Sequence, residues 1–190
     1  MKRLPRTPSL RALDPGAMLL FVTGQTFHNQ MAEVQAVETP KRQPANVRAD
    51  AAPGRQLLEQ YRGKVPFKLM VPTIVERSSV PDPVFGDTPS RLYDVNNDHK
   101  AIRLVFRTGA NEYWGIQQTD WKDAPALNDR SFRRRIKGRT YDLFYAGKHL
   151  HMVVFRRGDA SYWVVNTLLD RLSNETMLAI ARGLKPLGPR

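Results

Sequence analysis

The stretch from Glu112 to Leu187 constrains the fold most, because strand-like segments follow one another there and lead into one amphipathic helix. Just upstream, Ile102, Leu104 and Phe106 alternate with polar or outward-facing positions, a period typical of a half-buried strand. Successive strands without intervening helices favour an α+β fold. We therefore predict an antiparallel sheet of about five to seven strands, with a C-terminal helix packed on its apolar face. Ser173 or Asn174 is the expected N-cap of that helix.

One hairpin in this stretch has a register that the sequence predicts. If Ala146 and Gly147 form a two-residue loop, Leu143 faces Leu150 on an apolar face, while Asp142 faces His151 on a mixed face. Asp-Gly is the usual pair in such a turn, and alanine tolerates positive φ poorly. A type I′ turn is therefore strained at Ala146.

The chain is predicted to have two parts. Residues 1–54 are expected to form a basic N-terminal arm, a short helix that begins after Asp14, and a linker containing Pro40, Pro44 and Pro53. Residues 55–187 are expected to form a single α+β domain. The apolar run 17–22 is six residues long, shorter than the roughly 7–15 of a signal peptide or the about 20 of a spanning helix.

The charge balance favours anionic partners. The 190 residues include 30 Lys and Arg against 18 Asp and Glu, a formal charge of +12, and the isoelectric point is about 10.4. Such a chain is suited to nucleic acid, anionic lipid headgroups or wall phosphates. The absence of cysteine excludes disulfides, thiolate zinc sites and cysteine nucleophiles.

A run of six cations in ten positions is the main candidate binding site. Guanidinium groups match the spacing of phosphate oxygens, which indicates a polyanion contact. The alternative is a solvated strand edge, where positive charge prevents pairing with other edges. Alternation along a strand would divide the cluster between two faces. The polyanion-binding candidates are Arg130, Arg133, Arg134, Arg135, Lys137 and Arg139.

Two further groups of residues are candidate sites. His149 and His151 share a strand face, and with Asp142 they are a metal candidate that lacks an evident third strong ligand. Tyr113, Trp114 and Trp121 are candidates for an aromatic surface that binds sugar or lipid, the alternative being packing in the core and at its rim.

Motifs for catalysis were not found. The chain has neither a Gly-x-Ser-x-Gly nucleophile motif nor a phosphate-binding glycine loop. We therefore expect no enzymatic activity, no cofactor and no bound metal.

Several short motifs, in order, carry a family resemblance. Pro66-Phe67-Lys68-Leu69 is followed by Tyr113-Trp114-Gly115-Ile116-Gln117 with Trp121, then by Gly138-Arg139-Thr140-Tyr141, by Tyr162-Trp163-Val164-Val165-Asn166-Thr167-Leu168, and by Leu172-Ser173-Asn174. This stretch, about Val65 to Leu187, resembles the region C-terminal to the catalytic domain in actinobacterial LytR-CpsA-Psr proteins.

The resemblance implies a role in the cell envelope. That family attaches glycopolymers to peptidoglycan outside the membrane, through a catalytic domain upstream of the region matched here. About 64 residues precede the match, too few for that domain, so no catalytic residue carries over. The expectation is a truncated or accessory protein of cell wall biogenesis, extracytoplasmic or membrane-associated, that binds wall glycopolymer, a lipid-linked precursor or a partner protein. A basic nucleic-acid-binding protein is the alternative.

Overall fold

A computed structural model describes residues 44–82, 88–96, 98–109 and 112–189. These residues form twelve strands, two helices and one short 3-10 turn at Pro125–Leu127. In chain order the elements are β1 (Val47–Ala49), α1 (Ala52–Glu59), β2 (Met70–Pro72), β3 (Ile74–Glu76), β4 (Val80–Pro81), β5 (Ser90–Val95), β6 (His99–Arg107), β7 (Tyr113–Thr119), β8 (Phe132–Ile136), β9 (Arg139–Ala146), β10 (His149–Arg157), β11 (Ala160–Val165), α2 (Asn174–Arg182) and β12 (Leu184–Pro186).

The central element is an antiparallel sheet of eight strands. Its order is β4-β6-β7-β11-β10-β9-β8, and β5 also pairs with β6. Two small antiparallel pairs, β1 with β3 and β12 with β2, lie outside this sheet. The predicted α+β class is confirmed. The eight strands are one more than the upper end of the predicted range of about five to seven. The segments that form β4 and β5 have no clear alternating pattern that would predict a strand.

Helix α2 covers one face of the sheet. Ser173 is the N-cap, and its Oγ accepts a hydrogen bond from the backbone N–H of Thr176 at 3.2 Å. Met177 and Ile180 of the helix are fully buried in the main core. The face that we call the helix face therefore has the predicted apolar character.

The opposite face carries a second, smaller cluster. The connection between β7 and β8 lies over this face and contributes Ala124 and Leu127, which pack with Val154 and Trp163. The predicted mixed face is thus partly covered, and the remainder carries charged side chains.

The hairpin between β9 and β10 differs from the predicted register. His149 pairs with Ala146 and Val154 pairs with Asp142. Gly147 occupies the first central position of the turn with a φ of 60°, as in a type II′ turn, so Ala146 stays in the strand. A register shift between Leu150 and Met152 makes His151 an extra residue. The predicted pairing of Asp142 with His151 is therefore wrong.

The segment predicted as a linker contains regular structure. Strand β1 lies within it, and α1 begins at Ala52. Pro53 is in the first turn of α1, where a backbone N–H would have no partner within the helix, so the missing N–H of proline costs nothing. A linker is therefore wrong for residues 47–54. The predictions for residues 1–43, namely the basic arm, the short helix and the first part of the linker, lie outside the described residues.

Candidate polyanion site

A cleft at one end of the sheet is lined by residues of β8, β9 and β10. Two tight turns shape it. The turn between β8 and β9 is of type I′, with a φ of 46° at Lys137 and 82° at Gly138, and the turn between β10 and β11 has a φ of 58° at Gly158. The cleft has a volume of about 490 Å³, and we call it the arginine cleft. Its polar lining consists of Arg133, Arg139, Thr140, Asp142, Arg156 and Arg157.

A buried carboxylate organises one side of the cleft. The Asp142 side chain is only 5% exposed and accepts hydrogen bonds from Arg133 Nε at 2.7 Å and Arg156 Nη1 at 2.7 Å. Burial by itself raises the pKa of Asp142, but the hydrogen bonds and charges of these two arginines outweigh it and lower the pKa overall. Asp142 is therefore ionised at neutral pH and holds both guanidinium groups in place.

The other two arginines have no carboxylate partner within the described parts of the chain. The Arg139 guanidinium lies 4.3 Å from the centroid of the Phe155 ring, and its Nη1 donates to the Leu184 carbonyl at 3.4 Å. Arg157 forms neither a hydrogen bond nor an ion pair with any described residue. Strand alternation places both guanidinium groups on the helix face, with Tyr141 and Phe155, so neither shares the face of Asp142.

The lining has an excess of positive charge. On the face that carries Asp142, Arg130, Arg133 and Arg156 surround this one carboxylate, which leaves two uncompensated positive charges. Planar guanidinium groups bind phosphate and carboxylate oxygens through paired N–H donors. The chemistry available here is the binding of an anionic group of the size of a phosphate or a sugar phosphate.

The predicted basic cluster divides between several places. Arg133 and Arg139 line the arginine cleft, and Arg130 lies at its rim, with Nε 3.7 Å from Asp142 Oδ1. Register places Arg134 on the helix face opposite Tyr141, and Arg135 opposite Thr140 on the other face. Lys137 is in the turn, outside the lining.

The sequence-based register did not bring Arg156 and Asp142 together. The sequence signal that finds them is the hairpin register. With the turn placed at Gly147 and one extra residue at His151, Arg156 and Asp142 fall on the same face of neighbouring strands.

The predicted histidine pair lies away from this cleft. His151 Nδ1 contacts Asp170 Oδ1 at 2.8 Å, and His149 pairs with Ala146 in the sheet. Across the described ranges no group of three or more His, Asp or Glu side chains is placed to hold a metal ion.

The three aromatic candidates have separate positions. Trp114 is 1% exposed, stacks on Phe106 at 4.4 Å between centroids, and donates from Nε1 to Ser79 Oγ at 2.8 Å. Its predicted place on the surface is therefore wrong, because it is a core residue. Trp121 packs half-buried against the second cluster, and half-buried Tyr113 pairs with Arg107 across β6 and β7.

Comparison with protein-family models, with curated proteins and with solved structures finds no match to this chain. Neither helix in the described residues has the length and apolar content needed to cross a membrane.

Proposed function

We propose that this protein is a non-catalytic module of the cell envelope that binds an anionic wall glycopolymer through the arginine cleft. The observation that carries the proposal is the set of three arginines, Arg130, Arg133 and Arg156, around the buried Asp142 carboxylate. Asp142 fixes Arg133 and Arg156, so that the cleft is ordered before an anion enters, and a preorganised site loses less entropy on binding.

The family resemblance supports the envelope setting. The resembling region in LytR-CpsA-Psr proteins lies outside their catalytic domain, and the chain is proposed to be an accessory relative that acts outside the membrane. A lipid-linked precursor presents the same anionic phosphate chemistry as the polymer. A partner protein is the third candidate.

Retention on purified peptidoglycan that carries wall glycopolymer tests the proposal. Wild type should be retained at low salt and released at high salt, because exposed charge contacts are screened. Arg130→Gln/Arg156→Gln, which removes two of the arginines around Asp142, should lose retention. The matched control, Arg55→Gln/Lys64→Gln, removes the same charge from exposed positions near α1 and should behave like wild type.

The outcomes separate the candidates. Equal loss in both double variants would show that net charge, and not the arginine cleft, holds the polymer. No retention of wild type at low salt would refute polymer binding. The nucleic-acid alternative predicts a gel shift whose affinity falls steeply with salt, and a shift specific for one sequence would favour it over the envelope proposal.

A further inference from the structure

Strand β8 forms a bare edge of the eight-stranded sheet. It pairs with β9 on one side and with no described residue on the other. Phe132, Arg133, Arg134 and Arg135 are all exposed. At β5, on the opposite edge of the sheet, the Ser90 carbonyl accepts a hydrogen bond from the Tyr61 hydroxyl at 2.9 Å. An uncovered edge of this kind is a template for an added strand.

The turn geometry determines which backbone groups point outward. A two-residue turn at Lys137 and Gly138 makes Ile136 and Arg139 a hydrogen-bonded pair. Hydrogen-bonded and non-hydrogen-bonded pairs alternate along an antiparallel ladder. The N–H and C=O groups of Arg133 and Arg135 therefore point away from β9, free to pair with another strand.

The positive charge of this edge determines which kind of strand can pair with it. Phe132–Ile136 contains three arginines and no acid, and within the described residues neither Arg134 nor Arg135 forms an ion pair. A second copy of β8 would place arginine against arginine. The chain's own residues 1–43 hold six Lys and Arg against three acids, so they are also poorly matched. The complementary partner is an acidic strand.

Phe132 adds an apolar contact at one end of the edge. Its side chain is 64% exposed, and its ring meets Tyr145 edge-on at 5.8 Å between centroids. Register places Phe132 and Arg134 on the same face of the strand. An added strand with one aliphatic residue opposite Phe132 and acids opposite the arginines would satisfy all of these groups.

We propose that the β8 edge binds an acidic, extended segment of a partner protein by strand addition. The main chain of Arg133 and Arg135 supplies the hydrogen bonds, Arg134 and Arg135 pair with carboxylates on opposite faces, and Phe132 packs on an aliphatic side chain. This proposal is independent of polymer binding in the arginine cleft.

The test uses the full chain and a fluorescent seven-residue peptide, Thr-Thr-Glu-Glu-Thr-Leu-Thr, whose adjacent glutamates point to opposite faces and whose leucine falls opposite Phe132 in an antiparallel pairing. Arg135→Pro removes one outward N–H donor without removing a bond to β9, because that N–H points away. Arg135→Gln is the matched control, since it removes the same charge and keeps the donor. Anisotropy should show a loss of about tenfold or more in affinity for Arg135→Pro and about threefold or less for Arg135→Gln, because main-chain hydrogen bonds provide most of the affinity in strand addition.

A second peptide keeps the test valid if Arg135→Pro fails to fold. This peptide is methylated at alternate backbone nitrogens, which preserves its charge and side chains but removes the N–H groups that would pair with β8. Equal binding of the methylated and unmethylated peptides would overturn strand addition in favour of charge attraction alone. Loss of peptide binding in Arg130→Gln/Arg156→Gln, which leaves β8 intact, would instead place the peptide in the arginine cleft.

Discussion

Gln118 is a buried side chain that takes the place of a strand partner. It is fully buried in β7, its Oε1 accepts from the Met70 N–H at 2.8 Å, and its Nε2 donates to the Met70 carbonyl at 2.9 Å. These two bonds attach β2 to the main sheet. Replacement by methionine keeps the volume and removes both bonds, so Gln118→Met isolates their contribution.

The expected loss is large. Met70 is itself fully buried, so Gln118→Met leaves one N–H and one C=O without partner or water. Each unsatisfied buried group costs about 1–3 kcal/mol, which sums to roughly 2–6 kcal/mol. A total stability of about 5–15 kcal/mol is typical of proteins. Urea unfolding followed by circular dichroism should therefore show a much lower midpoint at unchanged slope.

Gln118→Glu adds a test in which pH restores the bonds. A protonated glutamate can donate to the Met70 carbonyl and accept from the Met70 N–H, whereas a carboxylate cannot donate. Burial raises the pKa of a glutamate placed here, so the stability it contributes is present at low pH and is lost as pH rises through that raised pKa. The gap in unfolding free energy between wild type and Gln118→Glu should narrow on acidification.

Two results would refute this reasoning. A Gln118→Met protein within about 1 kcal/mol of wild type would mean that the bonds contribute only the net value of exposed ones. A gap between wild type and Gln118→Glu that does not change with pH would mean that the glutamate side chain has left the site.

Three further predictions concern packing and ionisation. Gly183→Ala places a Cβ 2.7 Å from Ile74 Cβ and should destabilise the fold by about 1–3 kcal/mol, while Gly188→Ala, with nothing within 4 Å, should be neutral in the same thermal melt. Asp142→Asn should make the free energy of unfolding depend less on pH in acid. The lowered pKa of Asp142 gives wild type stability that is lost as pH falls below the ordinary aspartate value of about 3.9, and asparagine does not titrate. Tyr162 should ionise with a pKa of about 12 in an ultraviolet titration, because burial outweighs the charge of Arg157; a value near 10 would contradict its burial.

Local signals predicted several elements correctly. Ser173 caps α2 because its hydroxyl meets the first free N–H groups of the helix, an interaction that depends only on nearby sequence. Ile102, Leu104 and Phe106 are buried on one face because the side chains of a strand alternate. Both features follow from short-range geometry, which the sequence determines directly.

The arginine cleft depended on a register that local signals did not determine. Both Ala146-Gly147 and Gly147-Lys148 are two-residue turns compatible with glycine, and only the second keeps alanine out of positive φ. The extra residue at His151 then shifts every later pairing by one. Asp142 consequently meets Arg133 and Arg156 instead of His151, and the charge of the site changes with it.

Strand alternation divides the arginines of β8 between the two faces of the sheet. Arg133 shares its strand face with Asp142 and is held by it, whereas Arg134 projects from the helix face. A side chain already bound to a carboxylate has fewer donors to offer, so an anion in the arginine cleft draws on the remaining N–H donors of Arg130, Arg133 and Arg156. The β8 edge draws on backbone groups that the cleft does not use. The two proposals therefore predict that polymer and peptide bind at the same time and that neither displaces the other.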